Sequence, residues 1–242
     1  MDALPAVLAW FSDPGTWTGP SGIVVRLVEH VGISAAAMAL ACLVALPVGL
    51  GLGHTGRGGA LAVGVADIGR AVPSYALLLV FFPIFGLGFA TALPALVLLA
   101  IPPILTNAYV AVRDVEADLV EAGRGMGLGE RQIIGRVELP VALPVVIAGV
   151  RTAAVQVVAT ATLAALVAGG GLGRFIVDGF ALRDHGMLVG GAILVALLAL
   201  AVERGFSLLE RRAISPGLSG RPREEFVVGP LPTAWPPTGA GA

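Results

Sequence analysis

Residues 113–140, RDVEADLVEAGRGMGLGERQIIGRVELP, form a polar island between two long apolar runs. Upstream lies 90–112 (ATALPALVLLAIPPILTNAYVAV) and downstream 141–167 (VALPVVIAGVRTAAVQVVATATLAALV). Each run is long enough to cross the roughly 30 Å hydrocarbon core of a bilayer as a helix. The island between them must therefore sit in water beside the membrane. Its four arginines place it on the cytoplasmic side, where loops carry the basic excess.

Within the island the pattern predicts two short helices around a glycine turn. Asp114 is the expected N-cap of the first, with Glu116 and Asp118 in its first turn, where the helix dipole favours negative charge. Val115, Leu119, Ala122 and Met126 recur at helical spacing and form an apolar stripe. Gly127 and Gly129 bracket a turn, and Gly127 is placed to take the left-handed conformation that closes a helix. The second helix starts at Glu130, carries Ile133, Ile134 and Val137 on one face, and is expected to stop at Leu139–Pro140.

Composition agrees with a membrane protein: 57% of the residues are hydrophobic and 13% charged, against about 45–50% and about 25% in soluble domains. A net charge of −1 points away from a nucleic-acid partner. The single cysteine, Cys42, lies in an apolar run, so neither a disulfide framework nor a cysteine metal site is available. All 15 basic residues are arginine. A P-loop needs its lysine to reach the phosphates, so the chain has no Walker A motif and no cofactor site of its own is expected. Schiff-base chemistry on lysine is excluded too.

Five spans follow, at about 31–52, 60–82, 90–112, 141–167 and 187–202. Residues 1–30 form an extracytoplasmic or interfacial segment, 31–206 the transmembrane domain, and 207–242 a cytoplasmic tail. From Ser215 onward that tail is rich in Pro and Gly and is expected to be disordered. A short helix over 4–11 places Trp10 at headgroup level, with Trp17 beyond it; core packing accounts for both rings equally well. Span one carries small residues (Ala35, Ala36, Ala37, Ala39, Ala41) suited to close helix packing in lipid. The G-x-G-x-x-G at 51–56 follows a membrane-length helix rather than a strand, so it reads as a glycine-rich exit from a span. His30, His54 and His185 are each isolated along the chain, and no metal site is expected.

Polar residues in spans two and four are candidates for a pathway. In span two Asp67, Arg70 and Ser74 follow at helical spacing, either facing a pathway or forming a packing pair. Pro73 kinks that helix. Span three carries Pro102 and Pro103, then Thr106, Asn107 and Tyr109 towards its cytoplasmic end. In span four Thr152, Gln156 and Thr160 repeat every four residues, with Arg151 at the edge of the stripe. Interhelical hydrogen bonding is one reading; a water-lined path is favoured because the stripe covers two full turns. GGGLG at 169–173 ends span four, and 174–186 reads as a loop. With the island inside, Arg57, its four arginines, Arg204, Arg211, Arg212, Arg221 and Arg223 are cytoplasmic, against Arg26, Arg174 and Arg183 outside.

The island also resembles a family signature. Permease subunits of ATP-binding cassette (ABC) importers carry E-A-A, three residues, G, nine residues, then I-x-L-P in a cytoplasmic loop. This chain reads Glu121-Ala122-Gly123, Gly127, then Val137-x-Leu139-Pro140, with Gly123 for the third residue of the triplet and Val137 for Ile. AVPSYALL at 71–78 is similar to the I-P-S-x-A-L-L stretch of osmoprotectant-type permeases, and the resemblance continues through TATLAALVAGGGLG at 160–173. It spans about residues 25–206 and implies an all-α integral membrane protein of the type I ABC importer permease fold, with about five transmembrane helices. It further implies a glycine betaine, choline or carnitine pathway and a coupling loop seated on separate ABC ATPase subunits that bind the ATP. A second permease subunit and an extracytoplasmic binding protein would complete the assembly. Permeases for methionine or other small solutes share the loop signature and are the alternative within the class. A secondary transporter is disfavoured by the loop. A membrane-embedded enzyme is disfavoured because Asp67 is the only carboxylate placed well inside a span.

Overall fold

A polypeptide in lipid must satisfy its backbone internally, and apolar runs of this length do so as helices. The computed structural model describes residues 3–213, with the side chains of Ala3, Val63, Arg70 and Ala213 outside that description. The tail expected to be disordered, from Ser215 onward, lies outside the described residues. Among the described residues the elements are all helical. They are α1 (Ala3–Ser12), α2 (Pro14–Trp17), α3 (Ile23–Thr55), α4 (Gly59–Ala71), α5 (Ser74–Phe85) and α6 (Phe89–Arg113), then α7 (Ala117–Gly125) and α8 (Glu130–Ile133). A π-helical turn (Ile134–Glu138) leads into α9 (Leu139–Thr160), which ends in a 3-10 segment (Ala161–Val167) before α10 (Gly173–Leu182) and α11 (His185–Ala213).

Among the described residues four helices are long and apolar enough to cross a membrane: α3, α6, the continuous run Glu130–Val167, and α11. The second expected span, 60–82, differs. Instead of one kinked helix, α4 and α5 are two short helices bent by 86°. The break sits at Val72–Pro73, where a residue preceding proline is pushed out of the helical region; Val72 has φ −80° and ψ 119°. The remaining departures are local. The first span begins at Ile23 rather than about 31, the stretch 174–186 holds helix α10 rather than a loop, and the last helix runs past 202 to Ala213.

A run of small side chains lets α3 meet α6 closely. Ala37, Ala41, Ala45, Gly49 and Gly53, each four residues apart, are buried along one face of α3. A Cβ on Gly49 would lie 2.7 Å from the Leu105 carbonyl oxygen, and one on Gly53 would lie 2.8 Å from that of Tyr109. Backbone approach of this kind is how helices gain contact in lipid, where apolar burial supplies no driving force between them. Large apolar side chains face outward instead, Leu43 and Phe180 among them.

At the other end of α3 the GGGLG loop is tied down. Gly171 N–H donates to Glu29 Oε2 at 2.8 Å and Leu172 N–H to His30 Nδ1 at 3.2 Å. With Nδ1 accepting, the buried His30 ring donates from Nε2 to the Val158 carbonyl at 2.9 Å. Trp10 takes the packing alternative, edge-on to Phe175 at 5.2 Å. Trp17 is partly exposed and donates its indole N–H to the Phe11 carbonyl.

Candidate functional site: a cleft and an interhelical loop

The bend between α4 and α5, the double proline of α6 and the polar face of α9 converge on a cleft of about 500 Å³. It is lined by Gly69, Val72 and Ser74 from the bent pair, Pro102, Pro103, Thr106 and Asn107 from α6, and Thr152, Gln156 and Thr160 from α9. Ser74, Thr152, Gln156 and Thr160, all pathway candidates from sequence, thus share one space. Asp67 is exposed on α4 and is not among the lining residues, and the Arg70 side chain lies outside the described part. Thr106 and Asn107 join the lining without having been singled out as pathway residues. The signal was present: they stand four residues after Pro102 and Pro103 and so share their face.

Among the described side chains the lining is uncharged, with hydroxyls and amides on one part and Ala66, Val72, Leu99, Pro102 and Pro103 on the rest. Asn107 Nδ2 donates to the Pro103 carbonyl at 2.8 Å, and Thr152 Oγ1 to that of Ala148 at 2.9 Å. Thr106 Oγ1 is buried against the cleft without a hydrogen-bond partner. Among the described side chains no carboxylate, guanidinium or aromatic ring lines the space. Arg151 is turned away from it. Its guanidinium lies 2.9 Å from Glu210 and 3.6 Å from Glu203, pinning α11 to α9.

On the loop, Glu121, Ala122 and Gly123 lie within α7. Asp114 does not cap that helix: it closes α6, and Glu116 takes the N-cap position. The helix ends in a Schellman arrangement, Gly127 N–H to the Arg124 carbonyl (2.9 Å) and Leu128 N–H to the Gly123 carbonyl (3.2 Å), with Gly127 at φ +82°. The expected apolar stripe divides. Val115 is half-buried and Leu119, Ala122 and Met126 are exposed, Met126 by 75%, while the buried residue of α7 is the neighbouring Gly123, which faces Ile133 and Val137. The second helix does not stop at Leu139–Pro140. Pro140 would clash with the carbonyl four residues back in a regular α-helix, and the π turn that precedes it widens the backbone there, so the chain runs on into α9. Leu139 and Pro140 therefore open the membrane helix, and Val137 sits in the turn.

His54, isolated in sequence, is not isolated in space. It projects from the end of α3 between Glu130 and Glu138. Arg124 holds Glu130 from the other side with two bonds of 3.1 Å.

Residues 39–215 match the model of the family described as binding-protein-dependent transport system inner membrane component. The chain is 35% identical over 201 residues to the choline transport system permease protein OpuBB of Bacillus subtilis, covering 83% of this chain and 93% of that one. It is 38% identical over 209 residues to the carnitine transport permease protein OpuCB of Listeria monocytogenes, covering 86% and 94%. Among solved structures, a chain of the MetNI methionine ABC transporter in an inward-facing conformation superposes with a TM-score of 0.73. At 23% identity it covers 84% of this chain and all of that one, a likeness of fold.

Proposed function

The chain belongs to the family of binding-protein-dependent transport system inner membrane components, a multi-pass membrane protein, and on that premise we propose how it works. It is the permease subunit of an ABC importer for a small quaternary-amine osmolyte: glycine betaine, choline or carnitine. The observation that carries the substrate class is the 35–38% identity, over nearly their whole length, to proteins named for choline and carnitine transport.

The chemistry of the cleft supports a passage rather than a store. Quaternary ammonium groups are held tightly by aromatic faces, and none lines this space among the described side chains. Hydroxyls and amides from Ser74, Thr106, Thr152, Gln156 and Thr160 replace part of a solute's hydration without trapping its charge, as conduction requires. Selection then falls to an extracytoplasmic binding protein, and a second permease subunit closes the open side of the cleft. ATP is hydrolysed by separate ATPase subunits that receive the 113–140 loop, with Glu121, Ala122, Gly123 and Gly127 at the contact. Because the π turn makes the loop continuous with α9, a displacement at the ATPase moves the polar stripe with it.

The test is uptake of radiolabelled glycine betaine, choline and carnitine by vesicles holding the permease, its ATPase and its binding protein. ATP-dependent uptake of at least one of them is expected. Methionine uptake with no quaternary amine carried, or uptake driven by an ion gradient without ATP, overturns the reading.

A further inference from the structure

The end of α3 carries a contact that no helix-packing argument requires. His54 Nε2 lies 2.9 Å from Glu130 Oε2, and Nδ1 lies 2.8 Å from Glu138 Oε2. A carboxylate only accepts hydrogen bonds, and a neutral imidazole has one N–H to give. His54 thus meets a carboxyl group on each ring nitrogen, and one ring joins the two glutamates. The site is well enclosed on one side: the His54 side chain is 10% exposed and that of Glu138 5%, while Glu130 stands in the open.

The positions of the two glutamates give the contact its meaning. Glu130 is the first residue of α8 and Glu138 the last of the π turn, so one ring on α3 holds both ends of the segment joining α7 to α9. Arg124 of α7 grips Glu130 in turn, and Arg113 lies beside Gly56, which caps α3. A line of charge-assisted contacts thus runs from α7 through Arg124 and Glu130 to His54, and from His54 through Glu138 into α9.

We propose that His54 is a positioning residue that makes α3 follow the 113–140 loop, so that displacement of the loop moves α3 and α9 together. The proposal rests on the reading of that loop as the ATPase contact. Since α3 packs along α6 through its small-residue seam, moving α3 with α9 carries three of the long helices as one body. Without the link the loop acts directly only on the end of α6 and on α9, and α3 follows only through its seam with α6.

Two substitutions separate this role from simple packing. His54→Gln retains a neutral donor for one carboxylate only. His54→Arg supplies several N–H donors, enough for both. In vesicles holding the permease with its ATPase and binding protein, three quantities are read: ATPase co-purification, ATP hydrolysis, and glycine betaine or choline carried per ATP. His54→Gln is expected to keep the ATPase while solute carried per ATP falls about tenfold, and His54→Arg to recover to within about threefold of the native ratio. A native ratio in His54→Gln, or an equal loss in His54→Arg, overturns the link while leaving the loop reading intact. Native protein that retains no ATPase overturns both. If His54→Gln leaves too little protein in the membrane, Glu130→Gln at the exposed end carries the test, and there too a native ratio overturns the link.

Discussion

The seam between α3 and α6 and the loop at 113–140 are both built on glycine, and they use it for opposite ends. In the seam, Gly49 and Gly53 remove side chains so that two backbones touch; nothing else fits, and both positions are buried. In the loop, Gly127 faces open space with no atom within 4 Å of where a Cβ would stand, and its value lies in its φ of +82°. One glycine class serves density and the other serves shape at a surface. The contrast teaches that a membrane body can be rigid through absence of side chains while the loop joining its helices keeps exposed apolar groups, Leu119 and Met126.

The strongest way to break this comparison is to fill the seam. Gly49→Leu drives a branched side chain into the Leu105 carbonyl and the Ala108 methyl, 2.7 and 2.8 Å from the first added carbon. Overpacking of that kind costs about 3 kcal/mol, and backbone atoms cannot step aside as a flexible side chain does. The yield of folded, monodisperse protein after detergent extraction should collapse. Native yield would show that the seam is loose.

Gly127→Val tests the other class. A β-branched residue in the left-handed region meets a penalty of about 1–2 kcal/mol, but the site is open, with nothing within 4 Å of an added Cβ. Insertion and subunit pairing should be native, with ATPase co-purification and ATP-driven uptake falling together. Glu121→Ala should act in the same direction and more mildly, since it removes charge without altering the backbone. Full coupling in Gly127→Val would take away the loop's assigned role.

The cleft offers an intermediate effect. Gln156→Leu should slow transport while leaving insertion intact, because α9 gains apolar character. Cysteines placed at 152, 156 and 160, after replacement of Cys42, should react with water-soluble thiol reagents. Protection of all three with and without ATP would mean that the stripe only packs helices.

How much of this was legible in the chain follows from sequence separation. The island, the apolar runs and the four-residue repeat of Thr152, Gln156 and Thr160 are local patterns, and local periodicity reports which face a residue occupies. The full break at Val72–Pro73 was legible as a kink but not in its angle, because packing against α6 sets how far the two halves turn. Residues 174–186 look like a loop because Asp178, Arg183 and Asp184 interrupt the apolar pattern, yet Arg174 pairs with Asp178 one turn on, and Phe175 and Gly179 supply a buried face. His54 was the hardest to read. Its partner Glu138 is 84 residues away, and nothing in the pattern around either residue announces the other.

The smallest effect expected is also the sharpest probe of the loop's interior, at the one place where its motif departs from the triplet E-A-A. Gly123 is buried in α7, and a Cβ there would meet Val137 at 3.5 Å and Ile133 and Leu128 at 3.7 Å, all ordinary contact distances. The backbone needs no help at this position: Gly123 is not among the residues with positive φ, and its carbonyl already accepts from Leu128. Alanine should therefore enter without displacing its neighbours. Glycine in a helix interior costs roughly 0.5–1 kcal/mol relative to alanine, so Gly123→Ala should firm α7 by about that amount. Amide exchange in α7 should slow several-fold, with uptake and ATPase retention unchanged. A loss of coupling in Gly123→Ala would mean that the space beside Ile133 and Val137 is used when the loop meets its partner, and that the absence of a methyl group here serves motion.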